Sequence, residues 1–167
     1  MYAISGSFLL LLALVLTGCS GSEVRPEPET MLSLEIVADS DSNNGTGMNS
    51  GQQVDAAPLQ LRMYELQSAE LFANADFLDI YLQDVAILQG TLVKKHRLPT
   101  VWPDTGSQLT LQLDRTTRFI AIFAEFASYQ SAIWWVLESI VPASQNSMVL
   151  QINGNHLRLV GRLPHGS

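Results

Sequence analysis

The sequence predicts a mainly β fold, a two-sheet β-sandwich interrupted by a short helical insertion. Three observations point there. Short runs with an apolar residue at every second position recur, as in Leu32-Leu34-Ile36, Leu59-Leu61-Met63 and Leu109-Leu111-Leu113, the period of a half-buried strand. Turn-forming residues separate the runs, and Asn153-Gly154 stands between two of them, the strongest short-range hairpin signal. Helical spacing of apolar residues dominates only near 68–86.

The N-terminus is read before the fold, because a targeting segment takes no part in it. Phe8 to Leu16 is an unbroken apolar run of nine residues, too short for a transmembrane helix, which takes about 20. It suits the core of a secretory signal. Leu16-Thr17-Gly18-Cys19 follows and resembles the lipobox of bacterial lipoproteins, in which the thiol is acylated and the bond before it is cut. No Lys or Arg precedes the run, so the amine of Met1 is the only charge there. A secreted chain with one cysteine cannot form an internal disulfide; lipidation gives Cys19 a use. Residues 1–18 are therefore expected to be a lipoprotein signal peptide and 19–30 a lipidated tether. Pro26 and Pro28 favour an extended tether, reaching at most about 35–40 Å. Ser20 stands where an Asp tends to retain lipoproteins at the inner membrane, which implies the periplasmic face of the outer membrane.

The domain is expected over 31–163. Its first strand holds Leu32, Leu34 and Ile36. Ala38–Ala57 follows, rich in Asn, Ser, Asp and Gly. A loop of about 20 residues inside a compact domain is commonly functional or disordered. Leu59, Leu61 and Met63 alternate with Gln60, Arg62 and Tyr64 in a second strand. Ser68 can cap a short helix, and Asn74 or Asp76 another. Phe77, Ile80, Tyr81 and Val85 recur at helical spacing, with Leu78 and Leu82 broadening the apolar face. Strands are expected over Thr91–Leu98 and through Leu109, Leu111 and Leu113. Phe119 to Phe126 is apolar on both faces, as in a central strand. Ser131 to Val141 is β-prone and places Trp134 and Trp135 on opposite faces. A hairpin closes the domain, through Met148, Leu150 and Ile152, then Leu157 and Leu159.

Charge and motifs narrow the function. The net charge is −7, the reverse of the basic footprint of nucleic-acid binding. The acids concentrate early: twelve against two bases from Glu23 to Asp84, then four against seven from Val85 to Ser167. The acidic half could face a basic partner or simply aid solubility. His96, His156 and His165 lack metal-ligand spacing. Asp39-x-Asp41-x-Asn43 opens like a calcium loop, but Asn44 and Ser50 stand where the Gly and Glu belong. No nucleophile elbow, P-loop or dinucleotide fingerprint is present. These failures argue against an enzyme and against a cofactor or metal.

The ordered set of motifs resembles the TssJ family, the outer-membrane lipoproteins of the type VI secretion system. After lipobox and tether come Pro58-Leu59-Gln60-Leu61-Arg62-Met63-Tyr64-Glu65-Leu66, then Phe72 and Ala75-Asp76-Phe77. Ala121-Ile122-Phe123-Ala124-Glu125-Phe126, Trp134 and Asn153-Gly154-Asn155 complete it. Pro103-Asp104 departs from a frequent Pro-Gly turn, and Trp135 from a common Arg. The resemblance implies a transthyretin-like β-sandwich, no catalysis, and a role anchoring the secretion core complex. It implies binding to the periplasmic C-terminal region of TssM, and indirectly to TssL. In the family the loop between the first two strands carries much of that contact. Asn43, Asn44, Gly45, Met48, Asn49 and Gly51 are the corresponding candidates here. A lipoprotein that binds a small ligand or inhibits another protein is the alternative.

Overall fold

A computed structural model describes residues 28–44 and 56–162. The expected signal peptide, Cys19, most of the tether and the loop positions Gly45, Met48, Asn49 and Gly51 lie outside the described residues. The elements run β1 (Thr30–Ala38), β2 (Leu61–Leu66), α1 (Glu70–Ala73), α2 (Phe77–Leu88), β3 (Leu92–Arg97) and β4 (Gly106–Leu113). Then come β5 (Phe119–Ala124), a 3-10 turn (Tyr129–Ser131), β6 (Trp135–Ser139), β7 (Gln145–Asn153) and β8 (His156–Arg162). They form two four-stranded sheets, ordered β4-β1-β7-β8 and β3-β2-β5-β6. β1 and β7 pair in parallel; the other pairs are antiparallel. This is the expected transthyretin-like β-sandwich.

The alternation read from the sequence sets the first core. Leu32, Leu34, Ile36 and Ala38 of β1 are buried, as are Met148, Leu150 and Ile152 of β7. They meet Leu61, Met63, Ile120, Ile122 and Ala124 of the other sheet. Leu59 lies just before β2, in an isolated bridge to Val101. The Asn153-Gly154 turn joins β7 to β8, with Gly154 at φ 56°, a left-handed conformation that glycine adopts without a Cβ clash.

The second sheet is covered on both faces, which the alternating pattern of β2 did not announce. Met63 to Leu66 are all buried, and so are Ile120 to Ala124. Tyr64, Leu66, Ala121 and Phe123 face the two helices and pack on Phe72, Phe77, Ile80 and Leu88. An aromatic cluster fills this layer. Phe77 stacks on Tyr129 at 4.2 Å and meets Trp134 edge-on at 5.4 Å, geometries that aromatic quadrupoles favour. Trp134 and Trp135 are both half-buried, 6.2 Å apart. Trp134 precedes β6, which is shorter than the expected 131–141 strand, and Trp135 packs edge-on to Phe72.

The helical insertion exists, but its buried face is rotated from the expected one. Phe77, Ile80, Asp84 and Leu88 are buried. Leu78, Tyr81, Leu82 and Val85 are exposed. Nine of the twelve residues from Phe77 to Leu88 are apolar and leave no single polar face to select orientation, so the aromatic wall of the sheet selects it: Phe77 and Ile80 fit against Phe123 and its neighbours. Asp76 takes the N-cap position of α2 without a side-chain cap bond, and Ala69 that of α1, where Ser68 Oγ accepts the Glu70 N–H at 3.4 Å.

Candidate partner-binding end of the sandwich

β1 crosses the sandwich from the tether to the polar loop. The loop therefore leaves from the end opposite the tether. That end gathers the exit of β1, the entry to β2, the β3–β4 turn, the segment after β5 and the β7–β8 turn.

Asn43 ties these pieces together. Its φ is 57°, a region Asn enters more readily than most side chains. Its N–H donates to Gly154 O at 2.9 Å. Its side-chain amide donates to Pro58 O at 3.1 Å and Ala57 O at 3.3 Å, while Oδ1 accepts the Ala127 N–H at 3.2 Å. The residue is buried. One side chain thus pins both stems of the loop to each other and to the segment after β5. Asn44 is half-buried, and its carbonyl accepts from Asn155 Nδ2 at 2.9 Å. Of the six expected contact residues, the structure therefore describes two, and Asn43 has its side-chain amide occupied by Ala57, Pro58 and Ala127.

Asp39, Asp41 and Asp104 lie at this end. Asp39 Oδ1 accepts the Gly154 N–H at 3.3 Å. Burial first, then the hydrogen bond from Asp41, push the Asp39 carboxyl above its ordinary range, against the Gly154 N–H that lowers it. Asp104 stands in the neighbouring turn at φ 55°, its N–H donating to Asp39 O at 3.0 Å. The left-handed conformation explains the departure noted at Pro103-Asp104: the turn requires a residue that tolerates positive φ, and Asp replaces Gly there. Trp102, before this turn, is 59% exposed, and Ile133 is 53% exposed. Periodicity signals neither exposure; an aromatic beside a Pro turn is the one local signal, at Trp102.

Two charge networks centred on β2 explain the family-like motif residues. Arg62 Nε donates to Glu125 at 2.7 Å, and Nη1 to Asp84 at 3.1 Å and to the carbonyls of Ile80 and Tyr81 at 3.2 Å each. α2 breaks at Gln83, whose φ is −138°. A break leaves carbonyls without intrahelical donors, and Arg62 supplies them. Asp84 Oδ1 accepts the Val85 N–H at 2.8 Å, and Oδ2 accepts from Tyr64 at 2.7 Å and Lys95 at 2.5 Å. Burial raises the Asp84 pKa, but the Lys95 and Tyr64 bonds outweigh it and hold the carboxyl below its ordinary value. Burial, then the Asp84 carboxylate, push the Tyr64 phenol well above its usual range. Arg62 and Tyr64 thus fasten the helices to the sheet.

Glu65 faces the sandwich interior near the other end. Its oxygens accept from Thr117 Oγ1 at 2.6 Å and the Asp114 N–H at 2.8 Å, and lie 2.6 Å from His96 Nε2. Burial alone would raise its pKa; His96, Thr117 and the Asp114 N–H together lower it. His96 is therefore placed as a partner of Glu65, His156 is exposed on β8, and His165 is outside the described residues. Among the described residues no group of three or more His, Cys, Asp or Glu could hold a metal ion, and no helix is long and apolar enough to cross a membrane.

Comparison with known proteins identifies the family. The family model "Type VI secretion lipoprotein, VasD, EvfM, TssJ" matches residues 30–155. No curated protein sequence matches the chain. Among solved structures, the lipoprotein TssJ1 from Pseudomonas aeruginosa superposes with a TM-score of 0.72 at 24% identity, over 81% of this chain and 98% of that one. Serratia marcescens Lip, a membrane-bound component of the type VI secretion system, gives 0.68 at 21% identity, over 78% and 97%. A chain of a type VI membrane complex gives 0.64 at 21% identity, over 79% and 98%. At these identities the structures establish a shared fold. The family match runs from the first residue of β1 into the β7–β8 turn, and the chain belongs to the type VI secretion lipoprotein family that includes TssJ.

Proposed function

We propose that this lipoprotein anchors the membrane core complex of a type VI secretion system to the periplasmic face of the outer membrane. In this reading acyl chains on Cys19 hold the membrane, and the polar loop end binds the periplasmic C-terminal region of TssM, and through it TssL. Two or more acyl chains give the firm hold that one does not. The protein works as an adaptor, with no catalytic step.

The observation that carries the reading is the course of β1. Its nine residues run from the tether to the loop, about 30 Å of strand. Both β-sheet neighbours, β4 and β7, brace it along its length. A load between lipid and partner then passes along a strand at the middle of a sheet. The solved type VI membrane complex that contains a chain of this fold supports the same assignment.

Binding of the mature protein to the periplasmic C-terminal region of TssM tests it. Saturable binding that is lost on shortening 45–55 supports the loop as the contact. Met48→Asp tests the one large apolar side chain in mid-loop. Binding that survives both changes moves the contact to the Trp102 and Ile133 surface. No binding by the folded protein overturns the adaptor reading.

A further inference from the structure

The outer face of α2 has no part in the partner reading above. Leu78, Tyr81, Leu82 and Val85 are exposed there, at the i, i+3, i+4, i+7 spacing that sets side chains in one stripe. They are four of the ten large apolar side chains exposed among the described residues. Single exposed apolar groups are ordinary, whereas a contiguous stripe marks an interaction surface. The backbone beneath it is fixed: the stripe crosses the break at Gln83, where Arg62 Nη1 donates to the Ile80 and Tyr81 carbonyls.

Opposite charges border the stripe on its two sides. From Gln67 to Thr91 the chain carries Glu70, Asp76, Asp79 and Asp84, and no Lys or Arg. Asp84 is turned inward and paired. Asp76 and Asp79 line a shallow groove with Leu78, Tyr129 and Trp134 that holds no basic side chain. No ion pair ties either acid to a cation among the described residues. On the other side, Tyr81 and Leu82 border a cleft with Arg62, Asp84, Lys95, Arg97 and Glu125. Arg62 pairs with Asp84 and Glu125, and Lys95 with Asp84. Three cations there meet two carboxylates, and Arg97 is the surplus; its Nε donates to a neutral group, Gln60 Oε1, at 3.3 Å.

An apolar stripe with acids on one side and a surplus cation on the other is complementary to itself, as a two-fold interface requires. A two-fold axis along α2 lays stripe on stripe and sets each copy's Asp79 side against the other's Arg97 side. A two-fold axis across α2 would set like sides together. The axis along α2 also suits a shared membrane. The Asp76 end of the helix stands by Tyr129 and Trp134, just after Ala127, which bonds Asn43 at the loop end. The Leu88 end connects through Thr91 and Gln67 to Leu66, whose carbonyl accepts the Arg118 N–H. Arg118 in turn accepts the Ile140 N–H, near Ala143, whose N–H Thr30 Oγ1 accepts at the start of β1. α2 and β1 therefore span the same two ends, and pairing about α2 keeps both tethers on one side.

We propose that a second copy of this chain docks on this face, α2 beside parallel α2, when acylated copies share a membrane. The proposal rests on acylation of Cys19. Confinement to one surface raises the effective concentration of the copies, so a face of this size suffices without association in dilute solution. The pair presents two loop ends side by side.

The test uses the mature acylated protein in phosphatidylcholine vesicles. With the Cys19 sulfur in thioether linkage, Leu82→Cys supplies one free thiol on the stripe, and Val160→Cys one on β8, exposed on the other sheet. Oxidation with copper phenanthroline is expected to give several-fold more disulfide-linked dimer from the 82 thiol than from the 160 thiol. With the 82 thiol present, Asp79→Lys alone and Arg97→Glu alone should each lower the yield. The two together should restore it, because both contacts reverse at once, and restoration excludes a folding defect. Equal yields at 82 and 160 overturn the pairing, and so does a yield at 82 indifferent to both charge reversals. Equal yields with loss of TssM binding in Leu82→Lys give the face to TssM and overturn the second copy as its occupant. Acylation is read separately, by mass and flotation. A chain that is neither acylated nor floating overturns the anchor and the pairing together; an acylated, floating chain without the difference overturns the pairing alone.

Discussion

Three carbonyl and amide partners converge on the Asn43 side chain, from Ala57, Pro58 and Ala127. Asn43→Ala would leave these groups short of partners and place a Cβ-bearing residue without local hydrogen bonding at positive φ. The cost expected is about 2–3 kcal/mol, read as a lower midpoint in urea denaturation. TssM affinity should fall as well, because the loop stems lose their fixed spacing. An unchanged midpoint would show that the remaining backbone bonds hold the stems. Glu65 has a pH signature. Its folded pKa is lowered, so its stabilisation is complete above the ordinary carboxylate value near about 4.3 and is lost as pH falls through the folded value. Glu65→Gln should therefore destabilise the protein by about 2–3 kcal/mol at neutral pH and much less at about pH 3. A stability difference equal at both pH values would mean that the charge contributes nothing. None of these pairings was visible in the sequence: Asn43 and Ala127 are separated by 84 positions, and Glu65 and Thr117 by 52.

At the scale of elements, α2 separates pattern from placement. The apolar residues of 77–88 are too many to define one face by periodicity, and the reading of Tyr81 and Val85 as core was wrong. The sheet already offered an aromatic wall of Tyr64, Phe123 and Trp134, so the helix turned Phe77 and Ile80 inward. It also turned Asp84 inward, where Arg62, Tyr64 and Lys95 satisfy it. The corrected face gives a direct test. Ile80 is fully buried and Leu82 is 68% exposed. Ile80→Ala should cost about 3 kcal/mol, while Leu82→Lys should change stability by less than about 0.5 kcal/mol. Matched thermal melts of the two variants measure this; a large loss at Leu82 would contradict the orientation of α2. The strands were far more legible, since alternation, turn residues and the Asn-Gly pair are local signals. Their errors are at boundaries, as where β6 begins at Trp135 and not near 131.

At the scale of the whole molecule, β1 is bonded on both sides and its inward side chains are fully buried or nearly so. Amides of Leu32 to Ile36 should exchange hydrogen at or near the rate of global unfolding, and those of β3, on an edge, much faster. Mass spectrometry after exchange would reveal it, and fast exchange in β1 would argue against a strand that transmits load. The sequence by itself determined the strands, the hairpin and the presence of a helical insertion. Each depends on residues within a few positions of one another, where backbone period and turn chemistry act. The tertiary structure decided which helix face is buried, why Arg62 and Tyr64 stand in β2, and what Asn43 holds. Those outcomes depend on which distant segments share a sheet end, and the packing of two sheets and a helical layer brings them together.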